Sequence, residues 1–442
     1  MKPNIVLFHC HDLGRRLGCY GKRLDTPNID SLAEDGVKFD NYFCTAAQCS
    51  PSRGSIMTGK YPHNHGLIGL AHKGFGWQLK INQKTLPVYM KEAGYKTHLF
   101  GLQHEASDPT SLGYEKIHRT GNQAEKVGRG LTKFFENQNQ NTPFFISAGT
   151  FEPHRPFSEE EYSSNDLDEV KPLPYLPDKK GIREDIAGLN EKIYRVDETV
   201  GKVRKTLKEN DLQDNTLFIF TTDHGIAMPR AKGTCYDPGI ETALIMYKPR
   251  EFENMDTQDE LLSNVDLLPT ILDYLNKDIP EDVDGKSFLS LLEKDDDYSP
   301  REKVFIEMTW HDKYNPMRGI RTNRYKYIKN FVEEPKVYLP LDIYTGTAGK
   351  EMKDEYYSEK RPTEELYDLE IDPLEKNNLT ENPEYEDVLA SLGKKVEKWM
   401  EKTQDILLKG PVPPTSQQLE TIEDDPNLTN AYRKRKTESK SE

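Results

Sequence analysis

Polar residues that follow buried strands limit the fold of this chain more than any other feature of its sequence. Residues 216–222 form an apolar run of strand length, and Asp223-His224-Gly225 come directly after it. Between residues 186 and 207, apolar side chains recur at alternating spacings of three and four, which predicts a helix with one buried face. A buried strand that follows such a helix is typical of an α/β fold with a mostly parallel sheet.

Three further strand candidates end in the same way. They are residues 5–8 before His11-Asp12, residues 97–101 before His104-Glu105, and residues 144–149 before Glu152-Pro153-His154. Ligands of an open parallel sheet bind beyond the carboxyl ends of its strands, so we expect these loops and Asp223-His224 to meet at one edge. We therefore predict a sheet with helices on both faces up to about residue 290, with the active site at that edge.

A second structural unit is predicted after the acidic residues 293–301. Short strand candidates follow at residues 304–308, 319–321 and 325–329, and a helix candidate lies at residues 388–402. We divide the chain into a catalytic α/β domain of residues 1–298 and a smaller α+β subdomain of residues 299–415 with a small antiparallel sheet. The polar residues 416–442 predict a disordered tail.

Composition excludes several classes of protein. The chain has 60 Lys and Arg against 75 Asp and Glu, a net charge of −15, so we expect no nucleic-acid partner. No apolar run approaches the ~18 residues that a membrane span requires, and residues 1–4 contain no apolar leader, so we expect a cytoplasmic protein without membrane contact. The five cysteines are odd in number and form no C-x-x-C pair, which argues against a disulfide framework or a structural zinc site.

Cys49 lies in the segment with the most specific chemistry, Cys49-Ser-Pro-Ser-Arg53-Gly-Ser. Pro51 favours the first turn of a helix, so Cys49 should lie beside the free N–H groups and positive dipole end of that helix. A thiol in this position is acidified and reactive. A cysteine near a proline is otherwise a small buried hydrophobic residue, which is the alternative interpretation.

This segment resembles the C-x-P-S-R motif of the sulfatases of the alkaline-phosphatase superfamily, in which the cysteine is oxidised to formylglycine. The resemblance covers nearly the whole chain and follows the family order. It includes residues 3–6, 17–21, 26–33, 49–60, 221–225 and 366–375. Within the family, residues 152–156, 231–239 and 315–321 look most similar to the heparan N-sulfatase (sulfamidase) branch.

The resemblance implies an alkaline-phosphatase-like fold that hydrolyses a sulfate ester or sulfamate on a glycosaminoglycan-type sugar. It also implies a formylglycine-generating enzyme as partner. The implied ligands of one divalent metal ion are His11, Asp12, residue 49, Asp223 and His224. The implied catalytic residues are Cys49, Arg53 at the diol oxygen, His104 in the collapse of the diol, His154 as proton donor to the leaving group, and Lys232 at the sulfo group.

Three departures from the family pattern affect these expectations. Relatives usually have Asp where this chain has His11, and many have Asn where it has His224. Imidazole is a poor ligand for Ca²⁺, the family default, but suits Mn²⁺ or Zn²⁺. Leu102 stands where relatives commonly have a sulfo-binding lysine, and Lys73 or Lys60 are the substitutes that the sequence offers.

Two alternative functions remain open from the sequence. His11, His224 and Leu102 also suit relatives that hydrolyse phosphonate monoesters or phosphodiesters. A catalytically silent protein that binds sulfated sugars is the second alternative, although such a protein has no use for the nucleophile motif. His63 and His65 are predicted to be surface or supporting residues without a direct role.

Overall fold

The computed structural model describes residues 2–138, 142–163, 167–293 and 298–423. The strands are β1 Asn4–Cys10, β2 Val37–Lys38, β3 Tyr42–Phe43, β4 Lys96–Gly101, β5 Lys116–His118, β6 Phe144–Gly149, β7 Thr216–Thr222, β8 Leu244–Tyr247, β9 Leu262–Ser263, β10 Val304–Trp310, β11 Tyr314–Arg321, β12 Tyr325–Asn330 and β13 Glu364–Asp368. The α-helices are α1 Pro27–Asp35, α2 Cys49–Thr58, α3 Pro62–His65, α4 Leu86–Glu92, α5 Ala124–Phe135, α6 Glu159–Ser163, α7 Lys180–Glu209, α8 Asp237–Ile240, α9 Leu267–Tyr274, α10 Leu289–Leu292, α11 Leu341–Tyr344, α12 Thr347–Tyr357, α13 Glu386–Lys402 and α14 Ser416–Glu423.

A seven-stranded sheet in the order β2-β8-β7-β1-β6-β4-β5 forms the centre of the molecule. Its strands pair in parallel except β8, which runs antiparallel to both of its neighbours. Residues 5–8 of β1 are all apolar because alternate side chains enter different cores: Val6 and Phe8 pack on one face, and Ile5 and Leu7 on the other. The prediction of a mostly parallel α/β sheet is therefore confirmed, and all four strand candidates that precede polar loops belong to this sheet.

The long helix α7 covers one face of the sheet. The apolar stripe predicted between residues 186 and 207 is buried in a single core with Phe8 and Phe220. Each fully buried apolar side chain of this size contributes about 1.5–3 kcal/mol, so the stripe holds α7 in place against the strands that carry the site. No helix in the described ranges is long and apolar enough to cross a membrane.

A smaller antiparallel sheet, in the order β10-β11-β12-β13, follows the first. Val304, Ile306 and Met308 of β10 pack into one core with Phe43 and Tyr236 of the preceding region. The antiparallel sheet and α13 agree with the predicted strands and helix near these positions. The two units share a continuous core, and the boundary between residues 298 and 299 stays a prediction.

The predicted disordered tail is wrong at its start, because residues 416–423 form α14. Gln418 is fully buried, accepts a hydrogen bond from the indole N–H of Trp77 and donates one to the carbonyl of His311. These partners lie over a hundred residues away in the chain, so the polar local composition gives no sign of them. Residues 424–442, also assigned to the tail, lie outside the described residues.

A buried cluster of charged side chains stabilises the smaller sheet. Arg318 is fully buried, pairs with Asp405 and lies 3.3 Å from the carboxylate of Glu307, which also accepts from His63. Replacing only the cation leaves two carboxylates buried without it. We expect Arg318→Met to lower the free energy of unfolding by about 3–5 kcal/mol.

The matched control is Lys329→Met in β12. Lys329 forms an ion pair with Glu397 whose side chains are 33% and 56% exposed, and such a pair contributes about 0–1 kcal/mol. Urea unfolding of the two variants measures both effects. Equal losses would show that the buried cluster has no special role in stability.

Candidate active site

The polar loops that follow β1, β4, β6 and β7 meet at one edge of the central sheet, as the sequence predicts. His11 Nε2 lies 3.2 Å from His104 Nδ1, although the two residues follow different strands. His154 Nε2 lies 3.8 Å from Asp12 Oδ2. The N-terminus of α2 brings Cys49 to the same place, with its Sγ 3.5 Å from His224 Nε2. The candidate site therefore contains all the residues that the resemblance named around the nucleophile.

Five side chains form a compact group of metal-binding atoms. They are His11, Asp12, Cys49, Asp223 and His224, and one ligand atom from each lies within 4.8 Å of all the others. All five are buried, with Cys49 2% exposed and the others fully enclosed. His224 Nε2 lies 3.0 Å from Asp12 Oδ1, and His11 Nδ1 lies 2.7 Å from the same oxygen. The five donors surround one volume and fit a single cation.

Backbone hydrogen bonds hold these ligands in place. Asp223 Oδ1 accepts from the amides of Asp12 and His224, at 2.9 and 2.8 Å. Asp12 has a φ of 49°, a left-handed conformation that is uncommon for a residue other than glycine and often occurs at functional sites. His224 Nδ1 lies 2.9 Å from the carbonyl of Gly225, an arrangement that assigns its proton to Nδ1 and leaves Nε2 free to bind a metal.

The donor chemistry also fits a divalent ion. Burial would raise the pKa of Asp12, but Lys232, His154, His11 and His224 hold it well below its usual range. Asp223 is likewise kept ionised by His224, His11 and Arg53 against the effect of burial. The donor set is mixed, with two carboxylates, two imidazoles and a sulfur or oxygen at position 49. Such a set suits Mn²⁺, Zn²⁺ or Fe²⁺, whereas Ca²⁺ prefers oxygen ligands.

Cys49 differs from the other cysteines in its electrostatic surroundings. Burial would raise the pKa of Cys49, but the positive charges of His11 and Lys232 and hydrogen bonds with His104 and His11 lower it well below its usual value. Burial raises the pKa of the remaining four, which are Cys10, Cys19, Cys44 and Cys235. The helix N-terminus predicted at Cys49 is present, since α2 begins at that residue. Cys49 is therefore the one cysteine of the five whose surroundings favour the thiolate.

Lys232 is a fully buried cation at the centre of a polar triangle. Its Nζ lies 2.9 Å from Asp12 Oδ2, 2.9 Å from Asp342 Oδ2 and 3.3 Å from His154 Nε2. The two carboxylates hold the pKa of Lys232 well above its usual value although burial opposes this. Asp342 comes from α11 in the smaller unit and was not singled out in the sequence, where no motif surrounds it.

His311 is a second site residue that the sequence interpretation missed. Burial would lower its pKa, but hydrogen bonds to Asp312 and Cys49 raise the pKa of His311 to about 9. His311-Asp312 directly follow β10 in the same strand-then-polar pattern as His11-Asp12. That pattern is a usable signal. However, β10 was predicted to belong to an antiparallel sheet, which gave no reason to expect His311 at the edge of the parallel sheet.

Arg53 contacts the metal-binding group through Asp223. Its Nε lies 3.0 Å from Asp223 Oδ2 and its Nη1 lies 2.8 Å from His9 Nδ1. The third nitrogen, Nη2, is buried without a hydrogen-bond partner among the described residues. A buried guanidinium N–H without a partner is costly, so Arg53 has a donor available for an oxygen at the neighbouring position 49, one helical turn before it.

His63 and His65 are buried rather than exposed. His65 lies against α2, where a Cβ added to Gly54 would come within 2.6 Å of its imidazole. Gly54 is thus required for close packing beneath the nucleophile, and His65 is a supporting residue. His63 belongs to the cluster with Glu307 and Arg318.

Neither lysine suggested in place of the one missing at Leu102 is paired with the site. Lys60 forms an ion pair with Asp282 on the surface, and Lys73 is exposed. His72 does approach the site, with its ring centroid 5.3 Å from that of His104. The positive charge around Cys49 comes from His11 and Lys232 instead.

Comparison with protein families gives two matches. The family model described as Sulfatase matches residues 3–277, and the model described as N-sulphoglucosamine sulphohydrolase, C-terminal, matches residues 230–361. The second match crosses the boundary predicted between residues 298 and 299.

Two curated relatives match along nearly the whole chain. An ulvan-active sulfatase of Formosa agariphila is 31% identical over 424 residues, which are 92% of this chain and 81% of the relative. The human N-sulphoglucosamine sulphohydrolase is 27% identical, with 91% of this chain and 90% of that protein covered.

Solved structures share the fold. A 2-O GAG sulfatase superposes with a TM-score of 0.74 at 21% identity, covering 95% of this chain and 96% of the other. A protein solved in complex with its substrate D-glucosamine-2-N,6-O-disulfate has a TM-score of 0.70 at 20% identity, covering 92% and 99%. These likenesses confirm the predicted architecture.

Proposed function

The chain belongs to the sulfatase family, and from this premise we propose that it releases inorganic sulfate from a glycosaminoglycan-type sugar that carries a sulfate ester or sulfamate. The reaction would use formylglycine made from Cys49 and one divalent cation. The observation that carries the proposal is the position of Cys49, which lies among the atoms of the five-donor cluster with Lys232 beside it. Turnover of N-sulfoglucosamine and glucosamine 6-sulfate, with sulfate release measured, tests it.

The residues of the site fit both a divalent cation and a formylglycine at position 49. His11, Asp12, Asp223, His224 and residue 49 would hold the cation, with Ca²⁺ as the family default and Mn²⁺ or Zn²⁺ favoured by the two histidines. When bound, the cation would neutralise sulfo oxygens, and the hydrated aldehyde at position 49 would supply a hydroxyl that attacks sulfur and a second that allows sulfate to leave. Because Cys49 is 2% exposed, a formylglycine-generating enzyme would have to reach it before the chain folds.

The protein's own residues would bind and orient the sulfo group. Lys232 is fully charged, rigidly held by Asp12 and Asp342, and shielded from water, so it would stabilise negative charge on a sulfo oxygen strongly. The buried donor of Arg53 would orient an oxygen at position 49. Since both cations are held before substrate binds, little reorganisation is needed in the transition state.

Two histidines would move protons. Burial lowers the pKa of His104 to about 4 despite its hydrogen bond to Cys49, so the neutral imidazole would accept a proton during collapse at position 49. Burial and Lys232 lower the pKa of His154 to about 4 as well. An anionic sulfo group bound beside His154 would raise that value, because an opposite charge favours the imidazolium. His154 would then protonate the leaving oxygen or nitrogen only when substrate is present.

His154→Gln tests this role. We expect kcat/KM to fall by about 10²–10³-fold on a sugar sulfate or sulfamate, whose leaving group needs a proton. On an aryl sulfate with an acidic phenol as leaving group, we expect a loss below about tenfold, because that leaving group departs as the anion. A loss of equal size on both substrates would contradict proton donation by His154 and indicate a role in positioning.

The identity of the sugar is proposed from two relatives. One is the human N-sulphoglucosamine sulphohydrolase, and the other is the structural relative solved with D-glucosamine-2-N,6-O-disulfate. Both names point to a sulfated glucosamine. A strong preference for a phosphodiester over either sulfated glucosamine would instead support the phosphonate or phosphodiester hydrolase alternative.

A further inference from the structure

A second cavity lies apart from the residues around Cys49. It has a volume of about 710 Å³ and lies between the loop after β1, α7 and residues 169–175. Its walls include Gly14 and Ile226, each two residues beyond the site residues Asp12 and His224, but none of the metal-binding or catalytic residues named above. We call this cavity the Arg16 crevice. Its volume falls in the range typical of small-molecule pockets, about 300–1,000 Å³.

The Arg16 crevice concentrates positive charge on a chain whose net charge is −15. Arg16 donates to Asn190 Oδ1 at 2.9 Å and forms no ion pair in the described parts of the chain. Lys22, Arg23 and Lys171 also line the crevice as exposed cations, and none of them has an ion pair there. A local excess of cations on an acidic protein attracts anions.

The acidic residues of the crevice do not cancel this charge. Asp237 is paired with Arg321 and Lys326. Glu241 is paired with Arg15, the fifth cation of the walls. Of the acidic residues that the described part of the chain places in the crevice walls, only Glu169 remains to face the four cations.

Two tyrosines supply the crevice with phenol groups that a sugar can contact. Tyr175 lines it, and its hydroxyl is buried without a hydrogen-bond partner among the described residues. Tyr194 lines it as well, and Arg16 interacts electrostatically with both phenols. Burial lowers the pKa of Arg16, and no carboxylate of the described residues offsets that effect. A buried donor and a desolvated guanidinium both gain from an anionic ligand with hydroxyl groups.

We propose that the Arg16 crevice is a second binding site, which takes a segment of a glycan that carries carboxylate or sulfo groups, outside the sugar whose sulfate is removed. The identity of the glycan rests on the proposed function, whereas the crevice itself does not. A single inorganic anion would satisfy Arg16 but leave most of the volume empty. An anionic saccharide would engage Arg16, the Tyr175 hydroxyl and the exposed cations at the rim, Lys22, Arg23 and Lys171, together.

Calorimetric titration of a heparin-derived tetrasaccharide into a Cys49→Ala background tests the proposal without turnover. We expect the double substitution Lys22→Glu/Arg23→Glu, called the rim variant below, to weaken tetrasaccharide binding by about tenfold, because both charges face the crevice. The matched control is Lys202→Glu/Lys205→Glu, which makes the same change in net charge on exposed residues of α7. Lys202 lies about 18 Å along the helix from Asn190, and we expect no change beyond about twofold.

Tyr175→Phe is the second variant, since it removes only a hydroxyl that has no hydrogen-bond partner in the described ranges, and it should leave folding intact. We expect it to weaken tetrasaccharide binding by about threefold. Equal losses of tetrasaccharide affinity in the rim variant and the α7 control would overturn the proposal. Unchanged affinity in the rim variant, or in Tyr175→Phe, would overturn it too. So would saturation of the crevice by inorganic sulfate or phosphate alone, with no advantage for the tetrasaccharide.

Sulfate release and tetrasaccharide binding, measured on the same variants, distinguish the crevice from the proposed function. If no sulfate is released from any sulfated glucosamine but the rim variant still loses tetrasaccharide binding, the proposed function fails and the crevice stands. If active enzyme turns over monosaccharide and tetrasaccharide equally well with and without the rim charges, the crevice fails and the function stands. We expect the rim variant to raise KM for the tetrasaccharide only.

Discussion

Replacing Cys49 with alanine is expected to reduce kcat/KM for sulfate release by about 10⁴–10⁶-fold, the scale of loss when a covalent nucleophile is removed. The side chain at position 49 would supply both the attacking oxygen and a ligand to the cation. Burial raises the pKa of every other cysteine, so none of them offers a reactive thiol. Sulfate release from a sulfated glucosamine measures the effect.

Cys235→Ala is the matched control for this prediction. Cys235 is also buried, at 1% exposure, but packs among apolar residues of the core shared with β10. We expect this variant to retain activity within about twofold and to lose some stability from the small cavity. Substantial sulfate release by Cys49→Ala, in protein with correct fold and metal content, would contradict the role of this residue.

Removal of the metal is the second change with a large expected effect. Chelation should lower kcat/KM by at least about 10³-fold, because the buried carboxylates of Asp12 and Asp223 would then face the sulfo group without a cation between them. It should also lower Tm, since a ligand present at about 1,000 times its Kd stabilises the fold by about 4 kcal/mol. Elemental analysis of the protein before and after chelation gives the metal content.

The identity of the reactivating ion is part of the same prediction. The two imidazoles of His11 and His224 should make Mn²⁺ or Zn²⁺ restore more activity than Ca²⁺. His224→Asn replaces a nitrogen ligand with an oxygen ligand, and we expect it to shift the preference toward Ca²⁺. Full activity in protein shown to hold no divalent ion would contradict the assignment of the five ligands.

Local patterns in the sequence were sufficient to predict the central sheet and much of the site. β6 and β7 have the predicted boundaries because a strand buried on both faces is mostly apolar, and the charged residues after it mark its end. Pro51 and the residues around it similarly predicted that Cys49 begins a helix. The metal-binding group follows from these two facts, since strand ends and a helix N-terminus meet at one edge of the sheet.

The parts of the site that depend on contacts between distant elements were not predicted. Asp342 reaches Lys232 from a short helix 110 residues later, and His311 reaches Cys49 from the smaller sheet. No local motif surrounds Asp342, and the strand-then-polar pattern at His311-Asp312 follows a strand of the antiparallel sheet. α14 was missed for the same reason, because Gln418 is buried by Trp77 and by the carbonyl of His311 rather than by its own neighbours.

Sulfate hydrolysis by this chain is proposed to depend on an aldehyde at position 49, and one measurement tests that dependence most directly. The protein is produced with and without a formylglycine-generating enzyme, and mass spectrometry of the peptide that contains residue 49 gives the fraction converted in each preparation. Sulfate release from N-sulfoglucosamine and glucosamine 6-sulfate is measured on the same samples. We predict turnover in proportion to the aldehyde fraction, whereas equal turnover by fully unconverted protein would contradict the account.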